Sequence, residues 1–451
     1  MARPDVESKG LLLLVDVRPG EAVPVFWACL YFFSLLAAYY IIRPLRDEMA
    51  VEGGVQNLPW LFTGTLVAML LVNPLFGALV AKLPRRRFIS LTYRFFAINT
   101  LIFLAALWFL PEHGVWVGRV FYVWTSVFNL FVVSIFWSFM VDLFTTRPAA
   151  RLFGLIAAGG TAGGIAGSAL TAVLAQTVPP VWLLPGVVIF LEIALYCVRR
   201  LARLESELHR LVEGDGDNPE GSSPERVVYG GARSRSGETV IGGTPLAGIR
   251  QAFQSPYLLG ISVFMLLFTV TATFLYFQQA EMVAAAYQDR AARTAFFARI
   301  DLAVNVLTVL IQVFLTGRLV RWLGVTLTLA LLPAVSVAGF LWLGLQPTLA
   351  LMVVMQVVRR AGNFAVAHPA RELLYTVLPR EQKYKAKAFI DTFVYRAGDQ
   401  LGAWSYAALG AWGLTLSGVS LAAVPLSALW LGVAVWLGIR HRRLVSAGST
   451  G

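Results

Sequence analysis

About a dozen apolar stretches, each near twenty residues long, follow one another along this chain with mostly short polar breaks. A helix rises 1.5 Å per residue, so about twenty apolar residues cross the roughly 30 Å hydrocarbon core of a bilayer. The chain therefore reads as a polytopic, all-α membrane protein. Its composition, 58% hydrophobic and only 14% charged over 451 residues, excludes an ordinary soluble domain.

The spans fall near 22–44, 59–82, 88–110, 115–143, 152–176, 180–201, 255–280, 293–316, 325–345, 348–376, 387–413 and 419–440. Between the sixth and seventh lies a polar, glycine-rich stretch, Glu213-Gly-Asp-Gly-Asp-Asn-Pro-Glu-Gly-Ser-Ser-Pro, which reads as flexible linker. The expected organisation is a cytoplasmic segment 1–21, a six-helix bundle 22–201, a linker 202–254, a second six-helix bundle 255–440 and a tail 441–451. The run Leu11 to Val15 is too short for a signal peptide, so the first span is expected to act as an uncleaved anchor. The residues before it suit a short helix on the membrane surface.

The formal charge of +12 would suit nucleic acid, but its distribution argues otherwise. Basic residues occupy alternate loops: Lys82 with Arg85, Arg86 and Arg87; Arg147 and Arg151; Arg318 and Arg321; Arg380, Lys383, Lys385 and Lys387; then Arg440, Arg442 and Arg443. The opposite set is acidic, with Asp47, Glu48, Glu52, Glu112, Glu281 and Asp289. By the positive-inside rule both termini are cytoplasmic. Cys29 and Cys197 lie within spans and offer no disulfide framework.

Charges inside the spans carry the functional information, because each costs about 2.5–3.5 kcal/mol at mid-bilayer. Tyr39, Arg43 and Arg46 share one helix face, and guanidinium forks suit phosphate or carboxylate. Edge anchoring, or pairing with Asp47 and Glu48, is the simpler reading of those two arginines. The tenth span presents Gln356, Arg360, Asn363 and Arg371 near one face, with Arg359 adjacent. The eleventh holds Asp391, Arg396 and Asp399, whose acids are the expected partners of Arg360; a structural ion-pair network between these spans is the alternative. Asp301, Asn305 and Gln312 form a stripe on the eighth, with Asp301 a coupling carboxylate or a fixed partner of an arginine. Arg94 and Glu192 are expected to pair or snorkel, Asn129 and His368 lie near a plausible cavity, and the glycine row Gly159 to Gly167 points to close helix packing.

The halves echo each other. Gly77-Ala-Leu-Val-Ala-Lys-Leu-Pro-Arg85 matches Gly317-Arg-Leu-Val-Arg-Trp-Leu-Gly-Val325, and Arg151-Leu-Phe153 matches Lys387-Ala-Phe389. This repeat resembles the major facilitator superfamily, whose two bundles are related by an axis along the membrane normal. Both loops are similar to its Gly-x-Leu-x-Asp-x-x-Gly-Arg-Arg motif, with Ala81 and Arg321 in place of the aspartate.

Within that superfamily, Tyr39-Tyr-Ile-Ile-Arg43-Pro-Leu-Arg46-Asp47 resembles the Tyr-x-x-Leu-Arg-x-x-Lys-Asp signature of plastid and bacterial ATP:ADP antiporters. His368-Pro-Ala-Arg-Glu-Leu-Leu-Tyr375, Lys385-Ala-Lys387-Ala-Phe-Ile390-Asp391 and Arg396-Ala-Gly398 are similar to later motifs of that family. The resemblance implies that Arg46 stands where a phosphate-binding lysine is expected, and that Arg371, Glu372, Asp391 and Arg396 belong to the functional end of the second bundle. The chain departs at Gly398-Asp399, where the family has Gly-Lys, and at Arg147-Pro148-Ala-Ala-Arg151, where an acid is expected.

The reading is a secondary active transporter in a bacterial cytoplasmic membrane, moving an anionic or nucleotide-like small molecule by exchange or with protons as coupling ion. Substrate contacts are expected from Arg43, Arg46, Arg360, Asn363, Arg371 and Arg396, and coupling or gating from Asp301, Asp391 and Asp399. No enzyme motif, cofactor, metal or nucleic-acid partner is expected, and the working unit is a monomer. Two alternatives stay open: a proton-driven exporter of drugs or amphiphilic lipids using Trp27, Tyr31, Phe121 and Trp124, and a scaffold or sensor that does not transport.

Overall fold

The computed structural model describes residues 22–82, 84–144, 149–214, 255–379, 386–387 and 389–448. The first bundle contains α1 (Ala22–Glu52), α2 (Leu58–Lys82), α3 (Arg85–Phe109), α4 (Gly114–Leu143), α5 (Ala149–Leu174) and α6 (Leu184–Gly214). The second contains α7 (Pro256–Ala286), α8 (Arg290–Thr316), α9 (Gly317–Leu345), α10 (Leu349–Leu374), α11 (Tyr395–Ala411) and α12 (Leu416–Gly448). Eleven of these are long and apolar enough to cross a membrane. The remaining one, α11, has 17 residues and carries Arg396, Asp399 and Gln400 near its start. The expected segment 1–21, the loop residues Arg147, Arg380, Lys383 and Lys385, and residues 215–254 lie outside the described residues.

Several helices outrun their expected ends. The first span continues to Glu52, which places Arg43 and Arg46 inside the helix, not at its edge. The sixth continues to Gly214. Every side chain on the extended turn of α1 is consequently held at fixed height and angle, and this positions the site.

Glycines set the closest contacts. Along α5, Gly159, Gly163 and Gly167 lie against the α1 backbone at Cys29, Phe33 and Ala37, and a Cβ on Gly167 would sit 2.5 Å from the Ala37 carbonyl oxygen. The expected packing role of this row is what the geometry displays. The second bundle repeats the arrangement: a Cβ on Gly402 of α11 would come 2.8 Å from Thr273 Cβ of α7. Around these seams pack aromatic cores, Tyr31, Phe121, Phe128, Phe136 and Phe139 in one bundle and Phe264, Phe268 and Trp430 in the other.

The bundles meet along α1 with α7 and α8, α2 with α11, and α5 with α8. Helices α1 and α7 are the most buried, with 56% and 67% of their apolar windows inside the protein against 28% for α2. Polar residues on α1 and α7 therefore face protein or a cavity, not lipid.

The second bundle also contains three π-turns, Gln312–Thr316 in α8, Asn363–Ala367 in α10 and Ile390–Val394 leading into α11. A π-turn accommodates one extra residue and rotates the remainder of its helix about the axis. The first two are tied together, Thr316 Oγ1 donating to the Ala365 carbonyl at 2.8 Å.

Candidate functional site

A cavity of about 280 Å³ lies between the bundles. Its wall takes Arg43 and Arg46 from α1, Arg359, Arg360 and Asn363 from α10, and Arg396 and Asp399 from α11. Five of the six expected substrate-binding residues thus meet at one place, joined by rings from Phe62, Tyr122, Phe268, Tyr276, Phe364 and Tyr395.

Each guanidinium is held differently. Arg43 Nη1 lies 3.3 Å from Asp301 Oδ1, and Arg360 Nη2 lies 2.7 Å from the same oxygen. One buried carboxylate thereby bridges α1 of the first bundle and α10 of the second. Arg43 Nε and Asp301 Oδ2 are buried without hydrogen-bond partners. Arg46 donates to Asp47 Oδ1 from Nε at 3.0 Å and from Nη2 at 2.7 Å, and its guanidinium stands 4.9 Å from the Tyr122 ring centre. Arg396 Nη1 donates to Asp399 Oδ2 at 3.2 Å.

Arg359 is the residue that sequence reasoning undervalued. It is 3% exposed and pairs with no carboxylate among the described residues. Ser336 Oγ, the Phe268 carbonyl and Thr271 Oγ1 accept its N–H groups at 3.1, 3.0 and 2.6 Å, and the Phe268 and Trp430 rings flank it. Guanidinium stays charged in proteins, so its charge adds to the field at the cavity wall. Five arginines then face three carboxylates, Asp47, Asp301 and Asp399. The wall is a net cation.

Several expectations fall elsewhere. Arg360 is neutralised by Asp301 of α8, not by the acids of α11. Arg371 and Asp391 are absent from the cavity wall; they lie 3.6 Å apart beside a second pair, Lys387 Nζ with Glu372 at 2.5 Å, and form the network between α10 and the start of α11. Arg371 stands eleven residues, about three turns, along α10 from Arg360, and the intervening π-turn at Asn363–Ala367 also turns it about a quarter revolution off the Arg360 face. Asn129 and His368 do not line the cavity. Trp27, Tyr31, Phe121 and Trp124, expected to suit an apolar solute, pack in the core of the first bundle instead.

One end of the cavity is latched. Tyr276 OH of α7 donates to Asp47 Oδ1 at 3.0 Å. Beyond it Glu48 accepts from Arg290 Nε at 3.0 Å and Arg293 Nη2 at 3.3 Å, and Arg293 also reaches Glu52. Thr63 Oγ1 contacts Gln400 Oε1 at 3.0 Å on the α2–α11 side. Three of the acids expected in loops, Asp47, Glu48 and Glu52, belong to this seam.

Comparison with known proteins agrees with the architecture. Residues 25–398 match the family model of the Major Facilitator Superfamily. The ADP,ATP carrier protein 2 of Chlamydia trachomatis serovar D is 24% identical, over 93% of this chain and 88% of that protein. The ADP,ATP carrier protein 2 of Chlamydia pneumoniae is 26% identical over 43% of this chain and 41% of that protein. The crystal structure of the nucleoside transporter NupG shares the fold with a TM-score of 0.58 at 12% identity, covering 94% of this chain and 99% of that one. With its two helical bundles closing on a central polar cavity, the chain belongs to the major facilitator superfamily: it is a multi-pass membrane transporter and not an enzyme.

Proposed function

We propose that this protein carries an anionic, nucleotide-like solute across a bacterial cytoplasmic membrane by alternating access, with both termini on the cytoplasmic side. One observation carries the reading: five arginines line a single cavity between the bundles, and the three carboxylates that pair with them, Asp47, Asp301 and Asp399, do not balance their charge. An excess of guanidinium at membrane depth is stabilised by a solute that brings negative charge, and the planar donor fork suits phosphate or carboxylate oxygens. Rings such as Tyr122, Phe268 and Tyr395 offer flat apolar surface to the rest of the solute. Similarity to carriers named for ADP and ATP favours a nucleotide among such anions.

The solute reaches the cavity from the side opposite the latch. It competes with Asp301 and Asp399 for Arg43, Arg360 and Arg396, and the bundles then rock to open the other side. The coupling is exchange or proton-linked, and a protonophore separates these, because pure exchange survives collapse of a proton gradient.

The test is thermal stability of the purified protein against nucleotides, phosphorylated sugars, dicarboxylates, uncharged nucleosides and cationic drugs. A ligand at about 100 times its Kd adds about 2.7 kcal/mol to stability. Stabilisation confined to anions, followed by uptake of the same anion into proteoliposomes, is expected. Stabilisation by drugs alone would overturn the proposal.

A further inference from the structure

Two membrane charges serve neither the cavity nor the latch. Arg94 of α3 and Glu192 of α6 are both exposed, and neither makes a hydrogen bond, ion pair or ring contact among the described residues. Their surroundings are apolar and outward-facing: Leu91, Phe95 and Ile98 on α3, Ile189 and Tyr196 on α6.

The two helices pack antiparallel within the first bundle, and their register is fixed where the Trp108 and Trp182 rings meet at 5.1 Å. From that contact Arg94 lies about four turns into the membrane and Glu192 about three. Both groups therefore sit well below the surface, at depths that differ by about one turn. A glutamate is too short to reach the interface from there, so snorkelling accounts poorly for it. Charges at such depth persist where an opposite charge covers them.

We infer that this α3–α6 face is the contact between two copies of the chain, Arg94 of each copy pairing with Glu192 of the other. One cation and one anion on a single face are self-complementary under a two-fold axis. An axis along the membrane normal preserves depth, so only groups at similar height can meet, and the one-turn difference is within the span of an arginine side chain. Neither α3 nor α6 belongs to the main seams between bundles. A dimer joined here holds the first bundle still while the second moves. It departs from the monomer expected from the sequence.

The experiment counts subunits by single-molecule photobleaching of labelled protein in liposomes at low density. Wild type is expected to bleach in two steps. Arg94→Glu places two acids on the face and Glu192→Arg two bases, so each variant alone is expected to bleach in one step. Mixing the two variants, or combining both reversals in one chain, restores two steps. Wild type that is monomeric, or single reversals that dimerise like wild type, would overturn the inference. Should the reversals fail to fold, Arg94→Gln with Glu192→Gln is expected to weaken the dimer at least about tenfold, and an unchanged dimer fraction overturns it equally.

Discussion

Arg43 of α1 and Arg360 of α10 share a single carboxylate oxygen, Asp301 Oδ1, at 3.3 and 2.7 Å. The pair of contacts crosses from one bundle to the other. Removing the acid leaves two guanidiniums in one pocket, and breaking a buried pair in this way costs about 3 kcal/mol. Asp301→Asn should lower the thermal midpoint in detergent and reduce transport at least about tenfold, while Asp301→Glu keeps most of the stability. An Asn variant as stable and active as wild type would remove Asp301 from the site.

Arg46 and Arg396 sit at opposite walls of the cavity, each on its own acid. A hydrogen bond to a charged group contributes about 1.5–3 kcal/mol. Arg46→Gln or Arg396→Gln is therefore expected to weaken uptake of the anionic solute about 10- to 100-fold. Size-exclusion profiles in detergent should remain those of folded protein. Normal uptake in both variants would show that the anion binds elsewhere.

The latch predicts accessibility. Arg293 holds both Glu48 and Glu52, so Arg293→Gln loosens the closed end and shifts the population towards opening there. A cysteine placed at Thr65, on the cavity wall, should react several-fold faster with a membrane-impermeant thiol reagent added from the latched side. Equal rates with and without the substitution would mean that these ion pairs do not hold the mouth.

Packing along α5 separates two glycines. A Cβ at Gly167 meets the α1 backbone, whereas one at Gly154 meets nothing within 4 Å. Gly167→Ala should cost about 2 kcal/mol or more by overpacking, and Gly154→Ala should be nearly neutral. Thermal midpoints of the two variants decide it.

Much of the architecture is legible in the sequence, and the failures share causes. The spans follow from hydropathy, and the glycine row announces close packing because small residues spaced by four allow little else. The arginines on α1, α10 and α11 can be nominated since membrane charges are costly. The neighbouring pair Arg46 and Asp47 can be named in the same way, but which arginines Asp301 holds cannot: it is distant in sequence from Arg43, and only the docking of two bundles makes them neighbours. Arg371 is misplaced because a π-turn leaves no mark in a pattern read at 3.6 residues per turn. Arg359 is missed because its partners are a carbonyl and two hydroxyls, groups that sequence gives no reason to connect with it.

The three π-turns distinguish the halves in winding. Among the described residues they occur only in the second bundle, on α8, α10 and the approach to α11. Each is a surplus residue stored in the helix, and its passage along the chain would exchange each amide's carbonyl for the next. Such a passage would turn Arg360, Asn363 or Arg396 by a quarter revolution while the helix axis stays in place. The halves echo each other in sequence, but among the described residues only the second holds screws that could be advanced a notch without moving the frame.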